Sequence, residues 1–175
     1  MVLRVLVVKV YPEGPLTSNN VGKSAAAARK LKRWVNLYPP YLGAAVRVTH
    51  IAENFRRVEV EMPLRFYNRN YVGTHFGGSL YSMVDPFYML MLINILGPDY
   101  IVWDKAGAID FIAPGREDVF AEFVLEDAVL DELRAATAGG EKHLRWFEVD
   151  IKTAGGELVA KFRKQLYVRK RPKPS

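Results

Sequence analysis

The segment Asn70-Tyr71-Val72-Gly73-Thr74-His75-Phe76-Gly77-Gly78-Ser79-Leu80-Tyr81-Ser82-Met83-Val84-Asp85 holds the residues best able to do chemistry. Gly77-Gly78 opens an apolar run that continues to Leu96 and reads as a helix. With no side chains on its first turn, a ligand oxygen can reach the unpaired N–H groups there, where the helix dipole favours negative charge. Donors of that kind stabilise the oxyanion of an acyl-transfer reaction. Asp85 is a lone carboxylate within the apolar run, and such a group is costly unless paired, hydrated or used. Pro86 supplies no N–H, which frees the carbonyl of Ser82. Each feature also has a structural explanation. Gly77-Gly78 can serve close packing, Asp85 can pair with a basic strand residue, Asn70 can form a turn, and His75 can be a structural loop residue.

Gly77 and Asp85 are eight residues apart, which is about 12 Å along a straight helix at ~1.5 Å per residue. A reacting group must sit about 3 Å from both the oxyanion donors and the attacking group. One helix cannot comfortably supply both, whereas two antiparallel copies about a two-fold axis can. The spacing therefore predicts a site built across a homodimer interface, and leaves open whether dimers pair into tetramers.

Other signatures fail. Gly22-Lys23-Ser24 resembles the end of a phosphate-binding loop, but Thr17 stands where its first glycine belongs. Ser79 lacks the glycine frame of a nucleophile elbow, since the chain reads Gly77-Gly78-Ser79-Leu80-Tyr81. His50, His75 and His143 are far apart and show no metal-ligand spacing. No strand interleaves aromatic and basic residues in the manner of an RNA-reading sheet, so neither a metal nor a nucleic acid is expected.

The elements that must position the segment follow from periodicity. Residues 24–38 read as a basic amphipathic helix, with Leu31, Trp34, Val35 and Tyr38 at helical spacing and Pro39-Pro40 as its stop. Its expected role is a packed surface helix, with docking on a membrane or an acyl carrier as the alternative. Ala44 to Ile51 reads as a strand, and Phe55 to Leu64 alternates, with Val58, Val60, Met62 and Leu64 on one face. A polar loop over 68–74 precedes the helix 77–96. Strands follow over 100–112 and 119–126, then a short helix over 127–137. A hairpin of 144–153 and 158–168 turns at Gly155-Gly156. Short connections make the sheet antiparallel. The economical α+β solution curls that sheet around the one long apolar helix, with an extra N-terminal helix outside it. Because Asp85-Pro86 interrupts the apolar stretch and alternating strands surround it, a core helix is expected and not a membrane span.

The chain has 175 residues, half of them apolar, a formal charge of +6 and no cysteine. That suits one domain with a full core: an N-terminal arm over 1–22, one domain over 23–170 and a basic tail over 171–175. The missing cysteines exclude disulfides and thiolate nucleophiles and fit a cytoplasmic setting. The positive balance favours anionic partners.

Residues 70–85 resemble the hotdog-fold acyl-CoA thioesterases, especially their phenylacetate-type and hydroxybenzoyl-type branches. That motif runs Asn/Gln-x-x-Gly-x-x-His-Gly-Gly with an acid seven residues past the second glycine. Asn70, Gly73, Gly77, Gly78 and Asp85 fall in register with it. Ile109-Asp110-Phe111-Ile112-Ala113-Pro114-Gly115 and Gly156-Glu157-Leu158-Val159-Ala160 resemble later strands, so the similarity covers about residues 41–168. It is closest to an uncharacterised branch, a domain of unknown function.

The resemblance implies a hotdog fold and hydrolysis of an acyl thioester. Asp85 would act as nucleophile or general base, the Gly77 N–H would polarise the carbonyl, and Asn70 would position the thioester opposite the partner's acid. Gly78, His75, Phe76, Ser82 and Met89 would line the substrate site. The substrate would be an acyl-CoA or acyl-carrier thioester, with no separate cofactor. Lys164, Arg169 and Arg171 are candidates for the CoA phosphates. Two departures stand out: Phe76 occupies the usual histidine position, and Met89 stands where some groups carry a hydroxyl residue. The alternatives are an acyl-thioester hydratase or dehydratase, suggested by His75-Phe76, and a non-catalytic acyl or lipid binder.

Overall fold

Strand β1 (Arg47–Ile51) and strand β2 (Arg57–Met62) show how alternation is used. Val58, Val60 and Met62 are buried, while Arg57 faces outward and pairs with Glu59 and with Glu122 on a neighbouring strand. The computed structural model describes residues 18–172, with side chains from Ser24 onward. The remaining strands are β3 (Tyr100–Phe111), β4 (Val119–Val124), β5 (Lys142–Thr153) and β6 (Leu158–Lys170). All six form one antiparallel sheet in the order β1-β2-β4-β5-β6-β3. The long strand β3 is therefore an edge, bonded only to β6, and most of its residues are exposed.

Helix α3 (Gly77–Val84) and helix α4 (Phe87–Leu96) lie against the sheet as the expected central helix. Leu80, Met83, Val84, Phe87, Met91 and Leu92 are buried with Val60, Phe123, Phe162 and Leu166 in one core. Each large apolar side chain buried this way contributes about 1.5–3 kcal/mol. That outweighs the missing N-cap, since Phe76 precedes the helix and offers no capping oxygen where a good cap adds only about 1 kcal/mol. The α+β class is as the sequence predicts.

Four boundaries differ from expectation, at both ends of the first helix and at the starts of the first two strands. Helix α1 (Ser18–Asn36) starts earlier than residue 24 and ends earlier than Tyr38; the arm before Ser18 lies outside the described residues. Pro39-Pro40, expected only to stop the first helix, starts a second one, α2 (Pro39–Ala44), because proline fits the first turn, whose N–H groups have no helical partner anyway. Ala45 then turns the chain in left-handed geometry (φ 61°), so β1 begins only at Arg47. Phe55, expected in a strand, instead turns the chain between β1 and β2 with φ 58°.

The sheet also splits. Strand β4 pairs with β5 only over Val119–Ala121, opposite Ile151–Thr153, and beyond that the two diverge. Helix α5 (Asp127–Ala136) follows β4 and buries Leu130 and Leu133, and its Glu132 holds Arg145 and His143 of β5. The Tyr88 hydroxyl donates to the Glu148 carbonyl at 2.8 Å, and its ring stacks on Phe147 at 4.7 Å. Burial pushes that hydroxyl up to about 12, against the opposing pull of Arg145.

Candidate functional site

The interruption between α3 and α4 falls at Asp85-Pro86. As the sequence requires, the Ser82 carbonyl lacks its helical partner there. Tyr41 of α2 supplies a substitute, its hydroxyl donating to Ser82 O at 2.9 Å. Tyr41 is buried, and that burial, reinforced by the nearby Asp85 charge, pushes its phenol well above the ordinary range. It is a permanent donor that fixes the break.

Asp85 is not unpaired. The Lys164 ammonium of β6 donates to Asp85 Oδ1 at 2.6 Å and reaches Asp104 Oδ2 of β3 at 3.0 Å. The lysine side chain is only 4% exposed, against 38% for Asp85 and 34% for Asp104. One buried cation thus joins two carboxylates that keep a solvent-facing side, leaving the cluster one negative charge in excess when all three are ionised. Burial disfavours the ammonium, but the hydrogen bonds and charges of both carboxylates outweigh it and raise the lysine above its ordinary value. Asp104 is raised by burial and by the Asp85 charge, with Lys164 opposing. Asp85 Oδ2 accepts no hydrogen bond among the described residues, so one oxygen is anchored and the other is open.

This arrangement corrects one expectation. Lys164 is buried and occupied, so it cannot receive a CoA phosphate; Arg169 and Arg171 remain exposed. Asp104 went unnoticed in the sequence. Lys164 did leave a signal, because it stands in phase with Phe162, Leu166 and Val168 on the inward face of β6. A lysine in that register needs buried partners. Asp104 leaves no such signal: it adjoins an irregularity in β3, between Asp104 and Ala106, that breaks the period.

The start of α3 separates two cavities. Asn70, Thr74, His75, Gly77, Leu80 and Phe111 are among the residues lining one of about 370 Å³. Tyr67, Phe76, Gly78, Ser79 and Ser82 are among those lining another of about 380 Å³. The expected site residues are therefore divided between the two. Asp85 and Met89 line neither, and Met89 packs against the core. A larger hollow of about 730 Å³ follows the β4–β5 split and includes none of them.

The N–H groups of Gly77 and Gly78 have no partner among the described residues; the first helical bonds come from Ser79 and Leu80 to Phe76 O. Packing also uses the glycine, since a Cβ at Gly77 would lie 2.9 Å from the Phe111 ring. Asn70 frames the loop. Its amide nitrogen donates to Thr74 Oγ1 (2.8 Å) and His75 O (3.2 Å), and its oxygen accepts from the N–H groups of Val72 and Thr74. With both amide hydrogens engaged, it positions the loop and has no free donor for a substrate. Asn68 anchors the same loop from within, donating to Ala44 O and Pro63 O at 2.9 Å.

His75 is buried, with Nε2 bonded to Glu117 O at 2.9 Å and Nδ1 without a partner among the described residues. The carbonyl can only accept, so Nε2 carries a hydrogen. Burial lowers its pKa, against smaller opposing effects from the Glu117 bond and the Asp118 charge. As pH falls below about 6.5, the unfolded chain takes up a proton first, so stability is lost until the folded pKa is reached. The expected slope approaches about 1.4 kcal/mol per pH unit. Denaturant melts across that window should show it in the native chain and a shallower dependence in His75→Gln.

A central helix wrapped by a curled six-stranded antiparallel sheet is the hotdog fold. The DUF4442 family, described as a domain of unknown function, matches residues 27–168, and the chain belongs to that family. The fold recurs in solved structures of low identity. A Pseudomonas aeruginosa protein of unknown function, described as a "Probable Thioesterase", superposes with a TM-score of 0.67 at 17% identity, covering 90% of this chain and 98% of its own. A Chlorobaculum tepidum protein of unknown function gives 0.66 at 18%, covering 83% and 95%. A Haemophilus influenzae thioesterase gives 0.59 at 16%, covering 82% and 90%. No curated protein sequence matches the chain significantly.

Proposed function

We propose that this protein hydrolyses an acyl-CoA or acyl-carrier thioester, with Asp85 as the reacting acid. The observation that carries the reading is the half-exposed Asp85 carboxylate, anchored through Oδ1 by a buried lysine while Oδ2 stays open. A purely structural ion pair has no need to keep one carboxylate oxygen turned outward.

In the proposed reaction the thioester oxygen lies against the Gly77 N–H. Asp85 accepts a proton from water as the water oxygen bonds to the carbonyl carbon. The tetrahedral oxyanion collapses, the C–S bond breaks, and the proton passes to the departing sulfur. A carboxylic acid and a free thiol result, with water the only co-reactant. As nucleophile, Asp85 would instead form an anhydride that water cleaves. Because Gly77 and Asp85 are two turns apart, the acid comes from a partner copy in a homodimer. Support comes from the long exposed edge strand β3, which carries an outward Trp103 and needs cover. The proposed compartment is the cytoplasm.

The test is a panel of acyl-CoAs with a thiol-reactive dye, a clean assay because the protein has no thiol of its own. Binding without thiol release across the panel would leave an acyl binder. Gly77→Pro isolates the oxyanion donor. Proline suits the first helical position, and Phe76 before it is already extended (φ −67°, ψ 126°). The exposed Phe111 ring can swing aside. The expected result is a fall in kcat of about 100- to 1000-fold with a stability change under about 1 kcal/mol.

One observation favours a hydratase as the second reading: His75 lines the cavity beside Gly77, its ring held by the Nε2–H bond to Glu117 O. Hydration of an enoyl-CoA that depends on His75, without thiol release, would replace the hydrolase assignment.

A further inference from the structure

We propose that the outward strip of α1 and the α1–α2 elbow dock on the headgroup layer of an anionic lipid bilayer. Six of the 25 Lys and Arg residues, and none of the 19 Asp and Glu residues, lie between Gly14 and Ala52, so this stretch carries the entire formal excess of +6 and the rest of the chain balances at 19 against 19. Helix α1 turns Ser24, Ala25, Ala27, Ala28 and Val35 inward, towards β1. Its opposite side presents Arg29, Lys30 and Arg33 to solvent, followed by Trp34 and Leu37. Lys30, Arg33, Trp34 and Leu37 recur at three- and four-residue spacing and form one strip. Lys32 is not part of it, since its ammonium turns back to Thr49 O at 2.5 Å.

The strip ends in large apolar side chains that the fold leaves outside. Leu37 is 71% and Leu42 56% exposed, and Trp34 and Tyr38 stack on each other, centroids 5.6 Å apart, in the open. These groups stand exposed around the elbow where Pro39 and Pro40 open α2. A helical protein partner reads a groove. Exposed Leu, Trp and Tyr beside Lys and Arg match a lipid interface, where aromatic rings sit at headgroup level and cations meet acidic lipid. The inference rests on this surface alone and is independent of the proposed hydrolysis.

The test is sedimentation of the full chain with vesicles of phosphatidylcholine, alone or mixed with phosphatidylglycerol. Binding to the anionic vesicles should be at least about tenfold tighter and weaken with salt. Replacing Arg29, Lys30 and Arg33 together by Gln should remove that preference, and Leu37→Asp with Leu42→Asp should reduce binding to both vesicle types. In a Trp103→Phe, Trp146→Phe background, Trp34 emission should shift to the blue when anionic vesicles are added. The proposal is overturned by equal binding to both vesicle types or by binding that ignores these substitutions. It is equally overturned if the face instead takes an acidic acyl carrier protein, or a second copy, in the absence of vesicle binding. Thiol release from soluble acyl-CoA should be the same in the Arg29, Lys30, Arg33 and the Leu37, Leu42 variants, so its absence would count against the hydrolase reading and leave this one standing.

Discussion

Replacing Asp85 by Asn should cut thiol release from acyl-CoA by at least about a hundredfold, the scale expected for a positioned acid or base. The substitution keeps the shape and an oxygen that Lys164 can still bond, but removes the basic electron pair that takes a proton from water. Asp104 stays within 3.0 Å of the ammonium, so the buried cation keeps an ionised partner and the fold should persist. Binding of acyl-CoA, read by calorimetry, should be retained. Turnover equal to that of the native chain would end the role assigned to Asp85.

Lys164→Met is expected to have the largest effect on stability. Removing the ammonium leaves Asp85 and Asp104 facing one another with no cation between them. Breaking a buried pair costs about 3–5 kcal/mol, and the partial exposure of both carboxylates reduces that to about 2–4 kcal/mol. The sign with pH follows. Two crowded carboxylates hold protons more tightly in the folded variant than in its unfolded chain, so the variant should regain stability as pH falls through the carboxylate range and lose it as pH rises. Adding Asp104→Asn to Lys164→Met should recover part of the loss at neutral pH, which chemical melts of the single and double variants would show. Asp104→Asn alone should cost less than Lys164→Met, because Asp85 still bonds the ammonium at 2.6 Å. A native-like melt for Lys164→Met would mean that the three groups do not act as a unit.

The two substitutions separate chemistry from support. Asp85→Asn should remove activity and leave stability; Lys164→Met should reduce both, since an unanchored Asp85 loses its fixed geometry. Activity that survives a correctly folded Lys164→Met would show that the anchor is structural only.

Much of this was legible in the residues because it depends on local rules. Alternation in Arg57–Met62 allows one face to be apolar and therefore fixes which side meets the core. The apolar run from Gly77 to Leu96, interrupted by Asp85-Pro86 and set among alternating strands, reads as a helix enclosed by a sheet. Pro86 cannot donate a hydrogen bond, so an open carbonyl at Ser82 followed from covalent structure alone. What fills that opening was decided in three dimensions, because Tyr41 is 41 residues away in sequence. The partners of Asp85 are equally distant: Lys164 stands 79 residues on, and Asp104 reaches the same cation from an edge strand at an irregularity in its pairing. The sequence told of an acid among apolar neighbours, a residue type that is costly wherever such a helix is buried. Only the packing of α3 against β3 and β6 decided that the cost is offset by a shared lysine, because Coulomb energy depends on distance in space and not along the chain.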